Sequence, residues 1–194
     1  MPRVLTPAAL ALTLAALTLA ALTLAALTLA APAIAQEGPV YYDYGSPPFG
    51  VWLGGGIGLG AVDGALRSAP SAGLSAAAFG TVVVEPHVIT VRAGAVDRIP
   101  LFGGERGAGD LGVLYGRVVA QSPDSFVSIG AGLAVVQVFG VEDGSAYTVG
   151  LPLEAQFLTR SDVLGQTGLY VFANVNARRT FAGVTFAYTL GFRP

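Results

Sequence analysis

The C-terminal stretch of the chain alternates between large apolar side chains and small or hydroxylated ones. From Ala182 to Phe192 every second residue is apolar or aromatic, and the residues between them are Gly, Thr or Ala. A strict period of two predicts a β-strand with two different faces. A strand of about a dozen residues is roughly twice the usual length in soluble proteins, but it suffices for a tilted strand to cross a bilayer. The pattern therefore predicts a membrane-spanning strand over residues 181–192.

Seven earlier segments show similar alternation and are separated by turn-forming residues. The predicted strands cover residues 51–61, 73–84, 88–98, 111–121, 126–139, 147–159, 167–177 and 181–192. The connections after the second and fourth strands are very short, whereas those after the first, third and fifth are longer. An even strand number with short turns on one side and longer loops on the other is typical of outer-membrane barrels. A slip in the alternation near residues 134–136 predicts a β-bulge in the fifth strand.

The two faces of these strands differ in polarity. One face is uniformly Val, Leu, Ile, Ala and Phe, and the opposite face is predicted to carry most of the strand charges. A soluble barrel would turn its polar face to water, but only 11% of the residues are charged, which favours lipid outside. The predicted fold is all-β, an eight-stranded antiparallel up-and-down transmembrane β-barrel. In its last strand, every second residue from Ala182 to Phe192 should face lipid. Every second residue from Gly183 to Gly191 should face the lumen.

The N-terminal segment has a different composition. Arg3 precedes an uncharged apolar run, and Ala33 and Ala35 form an A-x-A cleavage site directly after it. These features predict a helical signal peptide over residues 1–35, with a retained membrane helix as the alternative. Residues 36–50 are then a periplasmic leader, and residues 51–194 form the barrel domain. No Cys follows the cleavage site, so a lipoprotein anchor is not expected.

Charge and reactive residues exclude several function classes. The net charge of −2 gives no reason to expect nucleic-acid binding. The chain has no Cys and a single histidine, His87, so neither thiolate chemistry nor a transition-metal site is expected. Glu85 lies two residues from His87, but no nucleophile accompanies them. We therefore expect no catalytic residues, no metal and no cofactor.

Charged and amide side chains on the predicted inner face suggest a network within the lumen. Buried charges must pair, because an unpaired charge is costly in a low-dielectric interior. The hypothesis is an Arg–Glu network that fills the lumen, and the alternative is a charged gate for small ions. The predicted members are Arg92, Arg117, Glu154, Gln156 and Asn174.

The eight strands, the signal peptide and the last strand together resemble the small eight-stranded outer-membrane barrels of diderm bacteria (OmpA/OmpX-like barrel domains). In the last strand, Phe186, Tyr188, Leu190 and Phe192 resemble the C-terminal assembly signal of that family, although Arg193 and Pro194 follow the final aromatic residue. The resemblance implies insertion by the barrel-assembly machinery. Some small outer-membrane barrels are lipid-modifying enzymes, but the His–x–Ser signature is absent here. An enzyme is therefore not expected.

The expected function is a structural or surface-interaction role in the outer membrane. The expected partners are outer-membrane lipid and the assembly machinery, and the expected state is a monomer. A narrow porin-like channel is the first alternative, and a periplasmic lipid-binding barrel with an apolar interior is the second.

Overall fold

A computed structural model describes residues 49–64, 68–97, 107–122, 124–141, 144–161 and 165–192, and these residues are built almost wholly from eight long strands. The strands are β1 (Phe49–Gly64), β2 (Ser68–Val84), β3 (His87–Asp97), β4 (Ala108–Gln121), β5 (Ser125–Val141), β6 (Gly144–Ser161), β7 (Gly165–Asn176) and β8 (Phe181–Phe192). The described residues include no helix with the length and apolarity required to cross a membrane. The predicted signal peptide, its cleavage site and the residues after Phe192 lie outside the described ranges.

Each strand pairs antiparallel with its neighbour in sequence, and β1 pairs with β8 to close the barrel. The closing ladder runs without interruption from Val51 opposite Phe192 to Val62 opposite Phe181. The predicted all-β class, strand number and closed antiparallel topology are therefore confirmed. β1 begins at Phe49, two residues inside the segment predicted to be the leader.

The predicted bulge near residues 134–136 is wrong. The β5–β6 register is continuous through this segment, from Ala134 opposite Gly150 to Val138 opposite Ala146. Irregularities occur instead between Val138 and Val141 of β5, and in β4 between residues 118 and 120. Both lie close to strand ends, where the ladder accommodates an extra residue most easily.

The barrel is apolar outside and polar inside. Leu53, Ile57 and Leu133 are each at least 70% exposed on the outer wall. In β8, Phe186 and Leu190 face outward while Thr185 and Thr189 are buried, as the alternation predicts. This polarity suits a bilayer, because outward apolar side chains meet lipid and closure leaves no unpaired strand edge.

The two ends of the barrel differ in their connections. We call the end with the β2–β3, β4–β5 and β6–β7 connections the turn end. The opposite end, which carries the β1–β2, β3–β4, β5–β6 and β7–β8 connections, is the loop end. Both the start of β1 and the end of β8 lie at the turn end, because the ladder pairs Val51 with Phe192.

Glycines allow the β1–β8 seam to close tightly. A Cβ atom at Gly58 would lie 1.9 Å from the carbonyl oxygen of Val184, and one at Gly56 would lie 2.5 Å from that of Phe186. Real Cβ contacts are never this short, so neither site accepts a side chain without movement of the β8 backbone. The glycines of β1 therefore permit the close approach of the β8 backbone at the closing seam.

We expect Gly58→Ala to weaken the closing seam. The added methyl group must displace the backbone of β8, and overpacking of this kind typically destabilises by about 1–3 kcal/mol. Denaturant unfolding in phospholipid vesicles measures the change. Gly55→Ala is the matched control, because its nearest contact, the Ala77 carbonyl oxygen, is 3.3 Å away. Equal effects of the two substitutions would contradict the role assigned to Gly58.

We expect Val113→Arg to destabilise the barrel in a bilayer by about 2–4 kcal/mol, because this outward residue lies within the apolar belt. The measurement is the free energy of unfolding in vesicles, with Val113→Leu as the control. In a water-facing barrel an exposed arginine would be almost neutral, so a change below about 0.5 kcal/mol would argue against lipid contact.

Candidate functional site

The most highly charged part of the lumen is an ion pair between Arg92 of β3 and Asp110 of β4. Both side chains are completely shielded from solvent. The pairing follows from the register, since Gly94 lies directly opposite Asp110 and Arg92 is the next inward residue along β3. Asp110 also accepts hydrogen bonds from the backbone N–H of Gly94 at 3.2 Å and from Nδ2 of Asn174 at 2.7 Å. The aspartate thus links β3, β4 and β7.

Arg92 has further contacts across the lumen. Its guanidinium donates to the carbonyl oxygens of Leu153, at 2.9 Å, and Ala173, at 3.3 Å. The Cζ atom of the guanidinium also lies 5.3 Å from the centre of the Phe172 ring, which is within the range of a cation–π interaction. Desolvation of two charges is offset only when extra hydrogen bonds satisfy both groups. These bonds join Arg92 and Asp110 to β6 and β7 and offset part of that cost, while Nε of Arg92 is buried without a hydrogen-bond partner among the described residues.

A second polar layer surrounds Glu154 of β6. Its carboxylate accepts a hydrogen bond from the hydroxyl of Tyr170, and Nε2 of Gln156 lies 3.3 Å from its other oxygen. Nε2 of Gln156 also lies 3.2 Å from Oγ1 of Thr81 and 3.4 Å from Oγ1 of Thr90. This layer therefore joins β2, β3, β6 and β7 through side chains alone.

Aromatic rings occupy the lumen beside these polar layers. Phe79 stacks on Tyr170 at a centroid distance of 4.3 Å, and Phe172 meets Phe181 edge-on at 6.4 Å. Towards the turn end, Trp52 and Phe126 pack edge to face at 5.0 Å. Rings from β1, β2, β5, β7 and β8 therefore lie in the lumen at several levels along its axis.

Inward glycines make room for these rings. A Cβ atom at Gly54 would lie 2.6 Å from the Phe79 ring, and one at Gly183 would lie 2.7 Å from the Phe172 ring. The glycine-rich inner faces of β1 and β8 are therefore the surface against which side chains from other strands pack.

At the loop end, Arg179 reaches across the mouth of the lumen. Nη1 of this arginine donates to the carbonyl oxygens of Phe139, at 3.0 Å, and Gly107, at 3.4 Å. The Asn176 side chain fixes the backbone of the β7–β8 connection, because its Oδ1 accepts hydrogen bonds from the N–H groups of Arg178 and Arg179. The β7–β8 connection is thereby attached to the edge of the β4–β5 pair. Sequence patterns carried no signal for this contact, because Arg179 lies in a turn.

The structure places four of the five predicted network residues in the lumen. Arg92, Glu154, Gln156 and Asn174 are buried there, whereas Arg117 is exposed on the outer wall. The prediction for Arg117 is wrong because it shares the parity of Leu111, Val113 and Tyr115, which all face outward.

The partner of Arg92 also differs from the predicted one. Arg92 pairs with Asp110, while Glu154 bonds to Tyr170 and Gln156. Asp110 was not among the predicted residues because the fourth strand was predicted to begin at residue 111. Extending the alternation back along the chain from the inward residue Gly112 places Asp110 on the same inner face.

His87 and three residues of the predicted assembly signal lie on the outer wall. His87 is exposed at the start of β3, and its Nδ1 shares a 2.6 Å hydrogen bond with the Tyr115 hydroxyl. Phe186, Tyr188 and Leu190 are 62%, 45% and 52% exposed, and β8 ends at Phe192. Their role as an assembly signal stays a prediction.

The fold is similar to that of solved outer-membrane barrels. The crystal structure of neisserial surface protein A matches with a TM-score of 0.58 and 10% identity, covering 75% of this chain and 97% of that one. Ail, the attachment invasion locus protein of Yersinia pestis, solved in complex with the heparin analogue sucrose octasulfate, matches with a TM-score of 0.51 and 10% identity. That match covers 74% of this chain and 99% of Ail. No protein-family model matches the sequence, and no curated protein matches it. At this identity the likeness shows the fold alone, that of a small eight-stranded transmembrane barrel.

We expect Asp110→Asn to destabilise the barrel by about 3–5 kcal/mol, because it leaves the buried Arg92 charge without a counterion. Replacing both residues, as Arg92→Met with Asp110→Leu, should restore part of the loss. Denaturant unfolding in vesicles measures both. Asp124→Asn, at the exposed β4–β5 turn, is the control and should change stability by less than about 0.5 kcal/mol. Similar losses for the two Asp→Asn variants would contradict the ion pair's importance.

Proposed function

We propose that this chain is an outer-membrane barrel with a closed lumen, whose role is structural and surface-contacting rather than transporting or catalytic. The observation that supports the proposal is that side chains in contact with one another occupy the lumen at successive levels. These are the Trp52–Phe126 pair, the Glu154 layer, the Arg92–Asp110 pair and the Arg179 contact at the loop end.

The channel alternative is disfavoured by how these groups are bonded. An eight-stranded barrel has an interior just wide enough for side chains. An ion crossing it would have to displace the stacked Phe79 and Tyr170 rings and separate Arg92 from Asp110. Each displaced polar group would be left desolvated without a partner, which is costly in a low-dielectric interior.

The periplasmic lipid-binding alternative requires an apolar interior. Here the interior contains Arg92, Asp110 and Glu154, all buried, while the large exposed side chains of the outer wall are mostly apolar. An acyl chain in this lumen would have to replace hydrogen-bonded charges with hydrocarbon. We therefore favour lipid outside the barrel over lipid inside it.

Several expectations from the sequence are part of this proposal. They are export by the N-terminal signal peptide, insertion by the barrel-assembly machinery, a monomeric state and the absence of a catalytic role. The two similar structures are described as a surface protein and an attachment invasion locus protein. Those descriptions favour surface contact through the loop-end connections here.

We expect the purified barrel to give no steady single-channel steps in a planar lipid bilayer, because the rings and charges of the lumen block ion passage. The recording is made on full-length folded protein, whose insertion is checked by protease protection in vesicles. Steady steps that are abolished or change ion selectivity in Glu154→Gln would overturn the closed lumen. Glu85→Gln, at the exposed β2–β3 turn, is the control for surface charge.

A further inference from the structure

A compact polar cluster interrupts the apolar outer wall near the turn end. It consists of His87, Tyr115 and Arg117, all of them exposed, and we call it the outer polar cluster. His87 and Arg117 lie directly opposite each other in the β3–β4 ladder, so their Cβ atoms are neighbours on the same face. Tyr115 is the adjacent outward residue along β4, and its hydroxyl lies 2.6 Å from Nδ1 of His87.

The backbone holds this cluster in place. The N–H of Val118, next to Arg117, donates to the carbonyl oxygen of Pro86 at 2.9 Å. Arg117 is therefore fixed beside the β2–β3 turn by the barrel scaffold. On its other side, Arg117 lies opposite Ile129 of β5.

Arg117 carries a positive charge that no carboxylate among the described residues neutralises by an ion pair. The nearby acid, Glu85, instead accepts a hydrogen bond from Nε2 of Gln121 at 2.6 Å. Whichever atom donates in the hydrogen bond between His87 and Tyr115, the pair keeps a free donor, which is either the Nε2–H of His87 or the O–H of Tyr115. The cluster thus offers N–H donors and a positive charge, but no anion.

The position of the cluster indicates its environment. Ile89 and Val113, beside Tyr115, are both more than half exposed and belong to the apolar belt. Arg117 and His87 are the next outward residues towards the turn end. We place the boundary between hydrocarbon and lipid headgroups at this level of the wall. Arginine and tyrosine are suited to this boundary because their apolar stems face acyl chains while their polar ends reach the headgroup.

We propose that the outer polar cluster binds the phosphate of a membrane phospholipid, with the acyl chains of that lipid lying along Ile89 and Val113. The planar guanidinium of Arg117 matches two phosphate oxygens, and the hydrogen-bonded pair of His87 and Tyr115 supplies a further donor. The site rests on the barrel's being in a membrane, as proposed above, and is independent of whether the lumen conducts.

Native mass spectrometry of the folded full-length protein in neutral detergent tests the site. The probes are phosphatidylglycerol and a diacylglycerol with the same acyl chains. We expect the first, most tightly bound phosphatidylglycerol molecule to have a dissociation constant at least tenfold lower than that of diacylglycerol. Arg117→Gln should raise the dissociation constant of this phosphatidylglycerol by about tenfold. Tyr115→Phe, which keeps the ring and removes the hydroxyl, should raise it by about threefold.

Arg178→Gln is the matched control, since it removes an exposed arginine at the loop end. This substitution should leave the dissociation constant of the most tightly bound phosphatidylglycerol unchanged. Equal weakening by Arg178→Gln would show that affinity follows net charge alone, and unchanged binding in Arg117→Gln would remove the site. Either result overturns the proposal.

Two further measurements keep the test decisive. Heat-modifiable migration on gels checks that each variant is folded, and Arg117→Lys replaces Arg117→Gln if the latter does not fold. The lysine keeps the charge without the planar fork and should bind about threefold more weakly than the wild type. A barrel that inserts into vesicles but shows no preference for phosphate overturns this site without affecting the proposed closed lumen.

Discussion

The need to satisfy every backbone N–H and C=O group inside hydrocarbon governs this structure. A sheet with a free edge would expose unpaired groups where no water can bond to them, so the sheet must close on itself. The uninterrupted β1–β8 ladder accomplishes this closure. With only eight strands the closed wall is narrow, and the polar residues inside it must find partners within the space of a few side chains.

That narrowness explains why the interior combines glycine, rings and charge. Glycines on β1 and β8 let the wall curve and leave space for Phe79 and Phe172. The charged groups then meet at short range, where their mutual attraction and hydrogen bonds offset desolvation. Arg92, for example, contacts Asp110, two backbone carbonyl oxygens and an aromatic ring. The narrowness of the closed barrel therefore determines both the glycine content of its wall and the pairing of the charges in its lumen.

Local patterns predicted the strands well and the contacts between strands poorly. Alternation is a property of consecutive residues, so the eight strands and their two faces could be predicted from the sequence. Arg117 was predicted to face the lumen, although it has the same parity as Val113 and Tyr115 and the alternation therefore places it on the outer face. The Arg92–Asp110 pair depends on the β3–β4 register, and the Arg179 contact spans the lumen. Neither contact can be predicted from the residues that are adjacent in sequence. Cross-strand register was the missing quantity.

The separation of the wall into two faces has a consequence for how such sequences diverge. An outward position such as Leu133 requires only an apolar side chain, so many residues satisfy it and substitutions there are nearly independent. An inward position such as Asp110 is bound to partners on other strands, so a change there demands a compensating change elsewhere. The outer face can therefore drift freely while the lumen changes only in coordinated steps. Two barrels can in this way keep one architecture after almost all recognisable sequence similarity has been lost.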